Sequence, residues 1–128
     1  MTVQEAIAAA EVLLPGRAAP DGRTDPRWQA IIAVGEFIET EPDAVWLFIR
    51  RWGGSTNTDL RSAVATCLLE HLLENHFDRF IPLVERAALE DQLFADTVCQ
   101  CWKFGQAEES DRAVRLDRLV AAVRKRTV

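Results

Sequence analysis

The feature that most constrains the fold of this chain is a match of the sequence to itself at an offset of 34 residues. The offset places these pairs at equivalent positions: Asp25 and Asp59, Arg27 and Arg61, Glu36 and Glu70, Ile38 and Leu72, Trp46 and Phe80, Leu47 and Ile81, Ile49 and Leu83. A third copy is degenerate and keeps only a few apolar positions. Each unit reads as a cap, a long helix, a short turn and a second helix. Because one helical pair cannot cover its own apolar faces, the repeat favours a stack of such pairs.

Apolar residues at helical spacing alternate with helix-breaking residues along the whole chain. The pattern predicts seven helices, at about residues 3–14, 26–40, 44–52, 59–75, 78–89, 91–105 and 111–125. The expected N-caps include Asp25, Asp43, Asp59 and Ser110. No segment combines period-two alternation with hairpin turn residues, so the sequence predicts an all-α chain. A length of 128 residues fits a single domain, 1–128.

The two units open on similar residues, Asp25-Pro26-Arg27-x-x-Ala30 and Asp59-Leu60-Arg61-x-x-Val64-Ala65. These openings resemble those of the HEAT-repeat (armadillo-type) family of α-helical repeats. The resemblance implies antiparallel helix pairs in a right-handed α-α superhelix, with the Asp and Arg linking adjacent repeats. It covers about residues 25–105, with 1–14 and 110–126 as cap helices. Tetratricopeptide repeats share the period of about 34 residues, but their pattern of Trp, Gly and Tyr is absent here.

Charge is unevenly distributed along the chain. The total is 15 Lys and Arg against 20 Asp and Glu, a net charge of −5. Residues 36–109 carry six basic and fourteen acidic groups, whereas residues 110–128 carry six basic and two acidic groups. The acidic charge of the body argues against general nucleic-acid binding by residues 36–109, and the basic final helix is the exception. The basic helix is interpreted either as a solvated terminal cap or as a helix that docks on a partner.

The sequence contains no recognised catalytic motif. There is no phosphate-binding glycine loop with its lysine, no nucleophile elbow and no His-Glu-x-x-His helix. Cys67 and His71 have a spacing that can place two metal ligands on one helix face. However, His71 falls on the apolar face of its helix, which favours a packed histidine and a buried thiol. We therefore expect no enzyme activity, no metal and no cofactor.

Five residues are candidates for binding a partner. Glu36 and Glu70 occupy equivalent positions, with Glu74 close by, and in a stack of repeats they would form an acidic strip. Trp52 stands at a helix end and is expected to be the most exposed tryptophan, and Arg61 belongs to the repeated opening. The alternative for the glutamates is an ordinary solvated helix face.

These observations lead to a leading hypothesis and two alternatives. The leading one is a small, bacterial-type, HEAT-like adaptor that binds another protein, in a narrower form an inhibitor or immunity-type protein. The first alternative is a DNA-binding protein similar to the HEAT-like DNA glycosylases, with these candidates: Trp28, Trp52, Arg27, Arg61 and Asp59. The second is a structural subunit of a homo-oligomer.

The expected compartment is the cytoplasm. The N-terminus lacks the basic start of a secretory signal, and no run approaches the ~20 apolar residues of a membrane span. Three cysteines cannot all pair within the chain, and each lies in an apolar helical pattern. Such cysteines are typical of a reducing compartment.

Overall fold

The computed structural model describes residues 1–17, 19 and 24–126, and the regular structure in this part of the chain is entirely helical. The elements are α1 (Val3–Leu13), α2 (Pro26–Gly35), α3 (Pro42–Trp52), α4 (Thr58–Val64), a π turn (Ala65–Leu69), α5 (Glu70–Glu90), α6 (Gln92–Cys99), a 3-10 turn (Gly105–Glu108) and α7 (Ser110–Arg126). The all-α prediction is confirmed. Because α4, the π turn and α5 follow one another directly, the described residues form six helical stretches instead of the seven expected, and the longest of them is kinked at His76.

Local capping explains where several helices begin. Thr2 and Glu5 form a reciprocal capping box at α1. Asp25 caps α2 by accepting from the Arg27 backbone N–H, with Pro26 at the first helical position, as predicted. The predicted cap at Asp59 is wrong, since Asn57 caps α4 by accepting from the Leu60 backbone N–H.

Helices α2 and α6 are shorter than predicted. The chain leaves the α-helix after Gly35, and residues 36–38 instead donate to carbonyls three residues back. Helix α6 ends at Cys99, and residues 101–104 are irregular before the 3-10 turn. Glycine is required at the start of that turn, because Gly105 has φ of 50°. A Cβ there would also lie 2.7 Å from Cγ of Glu74.

A break within α5 separates two segments that the sequence predicts as separate helices. His76 has non-helical angles (φ −142°, ψ 44°), which interrupts the hydrogen-bond ladder of the helix. The Gln106 side chain fills the interruption, since it accepts from the Phe77 backbone N–H and donates to the Asn75 carbonyl, both at 2.9 Å. The 3-10 turn therefore holds the kink of α5.

Aromatic and aliphatic side chains from α3, α5 and α6 meet in one core. Trp46 packs against Phe80 at 6.2 Å and, edge to face, against Phe94 at 5.9 Å between ring centroids. Trp46 is 8% exposed and both phenylalanines are buried. Trp46, whose equivalent in the sequence repeat is Phe80, is therefore part of the core.

Two buried arginines connect helices that are distant in sequence. Arg27 in α2 bonds both to its own cap, Asp25, and to Asp59 of α4, the latter at 2.7 Å. Arg61 in α4 bonds to Asp96 of α6 at 3.1 Å. The two arginines are only 3% and 7% exposed. The equivalent arginines of the sequence repeat thus each pair with an aspartate on a later helix.

The basic C-terminal helix packs against the acidic body. Leu116, Leu119 and Val123 of α7 are buried. On the flanks of this apolar stripe, Arg112 pairs with Asp78 of α5, and Arg115 pairs with Glu85. Two basic residues of α7 are therefore paired with acidic residues of α5.

Among the helices of the described residues, none combines the length and the apolar composition that crossing a membrane requires.

Candidate partner-binding site

An open pocket of about 530 Å³ lies between the end of α2 and the π turn with the first half of α5. We call it the acidic pocket. Helix α2 and the turn after it contribute Ile32, Gly35, Glu36, Ile38 and Glu39, and the opposite wall consists of Thr66, Cys67, His71, Glu74 and Asn75. The ten described residues that line it include three glutamates and no lysine or arginine. The pocket is therefore anionic.

The early end of α2 places two glutamates at the rim. Because the turn after Gly35 is tight, Ile38 points into the core and is 5% exposed, whereas Glu36 and Glu39 are exposed. Gly35 itself allows the close approach of the two walls. A Cβ on Gly35 would lie 3.2 Å from Cδ2 of Leu68 in the π turn, which is tighter than ordinary packing.

The π turn shapes the opposite wall. A π turn accommodates one extra residue and is frequent at functional sites. Thr66 and Cys67 lie in this turn and line the pocket. Thr66 donates its hydroxyl hydrogen to the Ser62 carbonyl at 2.9 Å, so its side chain is held against its own helix.

His71 and Glu74 form a hydrogen-bonded pair on the α5 wall. His71 Nδ1 lies 2.8 Å from Oε1 of Glu74, and its ring stacks on Phe104 with centroids 5.7 Å apart and planes at 14°. Behind them, Glu70 is 5% exposed and accepts from the Trp102 backbone N–H at 2.8 Å. Burial raises the pKa of the Glu70 carboxyl, an effect that the Trp102 hydrogen bond partly offsets.

Comparison with known proteins shows the family to which this chain belongs. The pattern of a family of unknown function, DUF6869, matches residues 17–126, which is most of the chain. The chain belongs to the DUF6869 family. Both walls of the acidic pocket lie within the matched residues, whereas α1 lies outside them. No curated protein and no solved structure matches this DUF6869 chain.

The structure brings two of the five predicted site residues together. Glu36 and Glu74 line opposite walls of the acidic pocket. Glu70, predicted on the same surface, is instead buried behind the pocket. Trp52 and Arg61 lie elsewhere, and Arg61 is buried by its bonds to the Ser55 carbonyl and to Asp96.

The expected positions of His71 and Trp52 are wrong. His71, predicted to face the core, has a side chain that is 40% exposed at the pocket wall. Trp52, predicted to be the most exposed tryptophan, is half-buried against Phe48 with the Arg51 guanidinium over its ring.

Trp102 and Phe104 are the exposed aromatic residues that sequence reasoning missed. Trp102 is 72% exposed and Phe104 is 38% exposed, and Phe104 reaches the pocket wall through its stacking on His71. The sequence pattern placed Trp102 inside the sixth helix. Since α6 ends at Cys99, the aromatic residue that follows lies on an irregular segment. Gly105, which the sequence pattern took as the end of the helix, instead begins the 3-10 turn.

The thiols of the chain are not activated. Burial raises the pKa of Cys67, of Cys99 and of Cys101, so each is a protonated thiol near neutral pH. The described residues also contain no group of three His, Cys, Asp or Glu side chains placed to hold a metal ion.

The residues proposed for contact with DNA do not form a basic face. Arg27 and Arg61 are buried in ion pairs with aspartates, and Asp59 and the Trp28 indole bond to each other at 3.3 Å. These side chains connect helices to one another.

Proposed function

We propose that this DUF6869 chain is a non-catalytic, HEAT-like adaptor that binds a basic segment of another protein in the acidic pocket. The observation that carries the proposal is the meeting of Glu36, Glu39 and Glu74 around one open pocket whose described lining has no lysine or arginine. Exposed carboxylates around a concave surface attract a positively charged partner and orient it. The cytoplasm remains the expected compartment.

Apolar groups next to the glutamates add to the proposed binding surface. Ile32 lines the pocket and is 45% exposed. Phe104 lies against the α5 wall, and aromatic rings bind the cationic head groups of Lys and Arg through their faces. A basic segment with apolar residues between its charges would therefore fit this surface best.

The proposed helical stack rests on the buried arginines. In the HEAT resemblance, the repeated Asp and Arg link neighbouring units, and here Arg27 reaches Asp59 across 32 positions while Arg61 reaches Asp96 across 35. These two links support a regular arrangement of successive helix pairs. Such a stack would present the acidic pocket on a preformed surface.

Site-specific photocrosslinking tests the proposal. A photoreactive phenylalanine analogue replaces Ile32 at the pocket, and in a second variant it replaces Leu47, which is 69% exposed on α3 and does not line the pocket. We expect one discrete adduct from position 32 in cells, through a basic segment of the captured protein, and none from position 47.

Matched charge variants decide whether the adduct depends on the pocket. Glu36→Lys with Glu39→Lys reverses two rim charges, and Glu90→Lys with Glu108→Lys changes the net charge equally at other exposed positions. The first pair should abolish the adduct and the second should leave it. The proposal would be overturned if both double variants lost the adduct equally, or if the adduct formed through an acidic segment of the captured protein.

A further inference from the structure

An open groove of about 810 Å³ lies between α7 and the second half of α5. We call it the α7 groove. Its walls include Asp111, Val114, Arg118 and Ala122 of α7, with Glu85 and Leu89 of α5. The described lining of this groove shares no residue with that of the acidic pocket, so the two are separate surfaces.

The α7 groove exposes apolar side chains. Leu89 is 63% exposed and Val114 is 47% exposed, and Ala122 is exposed beside them. Single exposed apolar residues are ordinary on a protein surface, but several along one groove are typical of an interaction surface. Covering them removes apolar area from water, which favours association.

Two charged side chains of the groove have no ionic partner within the described chain. Elsewhere on α7, the charges of Arg112, Arg115 and Asp117 are paired with side chains of the same chain. Asp111 and Arg118 are both exposed and form no ion pair among the described residues. One negative and one positive charge of this face are therefore available to a partner.

The spacing of these charges makes the face complementary to itself. Asp111, Val114 and Arg118 follow one another at three and four positions, so they lie on one side of α7. The two charges are about 10 Å apart along the helix, which is two turns. An interface with two-fold symmetry uses the same patch on both copies and therefore requires such a self-complementary face.

Only an antiparallel pairing of two α7 helices joins opposite charges. With the two-fold axis beside Val114, Asp111 of each copy lies opposite Arg118 of the other. A parallel pairing would instead place Asp111 against Asp111 and Arg118 against Arg118. Since like charges repel, the charges select the antiparallel arrangement.

We propose that the α7 groove is the interface of a homodimer, in which α7 of a second copy packs antiparallel on α7 of the first. Two symmetric ion pairs between Asp111 and Arg118 flank an apolar centre at Val114. One exposed helix face per copy gives a small interface, so we expect a dissociation constant of about 10 μM to 1 mM. The proposal does not depend on the binding of a basic partner in the acidic pocket.

Sedimentation equilibrium of the intact chain at low ionic strength measures the association. The native chain should pass from monomer to dimer as its concentration rises. Asp111→Arg and Arg118→Asp each place like charges together in both pairs, so each variant should dimerise at least about tenfold more weakly. The double variant with both substitutions restores opposite charges and should dimerise as the native chain does.

Mixing the two single variants gives a readout that misfolding would not produce. Each ion pair then joins opposite charges again, so an equimolar mixture of Asp111→Arg and Arg118→Asp should form a heterodimer. Glu41→Arg is the matched control, because Glu41 is exposed and does not line the groove. This variant should dimerise as the native chain does and should form no heterodimer with Asp111→Arg.

Three results would overturn the proposal. The first is a native chain that stays monomeric up to about 1 mM. The second is dimerisation of Asp111→Arg with the native affinity, or an equal loss in Glu41→Arg. The third is a mixture of Asp111→Arg and Arg118→Asp that remains monomeric although each variant is folded by circular dichroism.

Discussion

The side chain of Gln106 should be a main support of the kinked helix that forms one wall of the acidic pocket. Gln106 makes two hydrogen bonds to the break at His76, to the Phe77 N–H and to the Asn75 carbonyl. Phe77 is fully buried, so water cannot readily replace the lost acceptor. Each bond contributes about 1 kcal/mol net, and an unsatisfied buried N–H costs more. Gln106→Ala should therefore lower the free energy of unfolding by about 2–3 kcal/mol.

Urea denaturation measures this loss, and hydrogen exchange locates it. The Tm should fall by about 10 °C for a domain of this size. The Phe77 amide should exchange faster than the global loss of stability explains, whereas the protection of amides in α2 should fall only by that global loss. Gln29→Ala, at an exposed position of α2, is the matched control and should change stability by less than about 0.5 kcal/mol. If Gln106→Ala is as stable as that control, or Phe77 keeps its protection, the reasoning about the kink is refuted.

Three further predictions concern single side chains. Because burial raises the pKa of Glu70, the contribution of this carboxyl to stability is fully present below its ordinary pKa of 4.5 and is lost as the pH rises. The Glu70→Gln variant should therefore gain stability relative to the native chain from pH 4.5 to neutrality. A difference in unfolding free energy that stays constant with pH in urea titrations would contradict this. Gly105→Ala should lower the free energy of unfolding by about 1–3 kcal/mol, because the residue has a left-handed φ and its Cβ would press on Glu74. An unchanged midpoint of urea denaturation would contradict this. Arg112 lowers the pKa of Asp78 through a hydrogen bond, so the stability that this pair adds should be lost as the pH falls below 3.8. A difference in unfolding free energy between Arg112→Gln and the native chain that persists in acid would refute this.

Sequence reasoning predicted the helices because their signals are local. Asp25 and Pro26 define the start of α2 through bonds within three residues. Helix ends were harder, since distant groups decide them. The backbone N–H of Trp102 bonds to Glu70, 32 positions earlier, and Asp59, expected as a cap, is drawn instead to Arg27. None of these partners can be identified from the neighbouring sequence.

The π turn explains why the candidate site was predicted only in part. An extra residue in a helical turn rotates everything after it by about 100° relative to an uninterrupted α-helix. Glu70, predicted to be exposed, is therefore buried, and His71, predicted to be buried, lies at the pocket wall. Glu36 and Glu39 precede the π turn and are exposed as an acidic strip requires.

The affinity of the chain for the partner captured at position 32 tests the central claim most directly. Titration calorimetry with the basic segment of that partner compares Glu36→Lys with Glu39→Lys against Glu90→Lys with Glu108→Lys. Reversal of the two rim charges should weaken binding by about tenfold or more and reduce its dependence on salt, while the control pair should keep nearly the native affinity. Equal affinities for the two double variants would show that the acidic pocket is not where the partner binds.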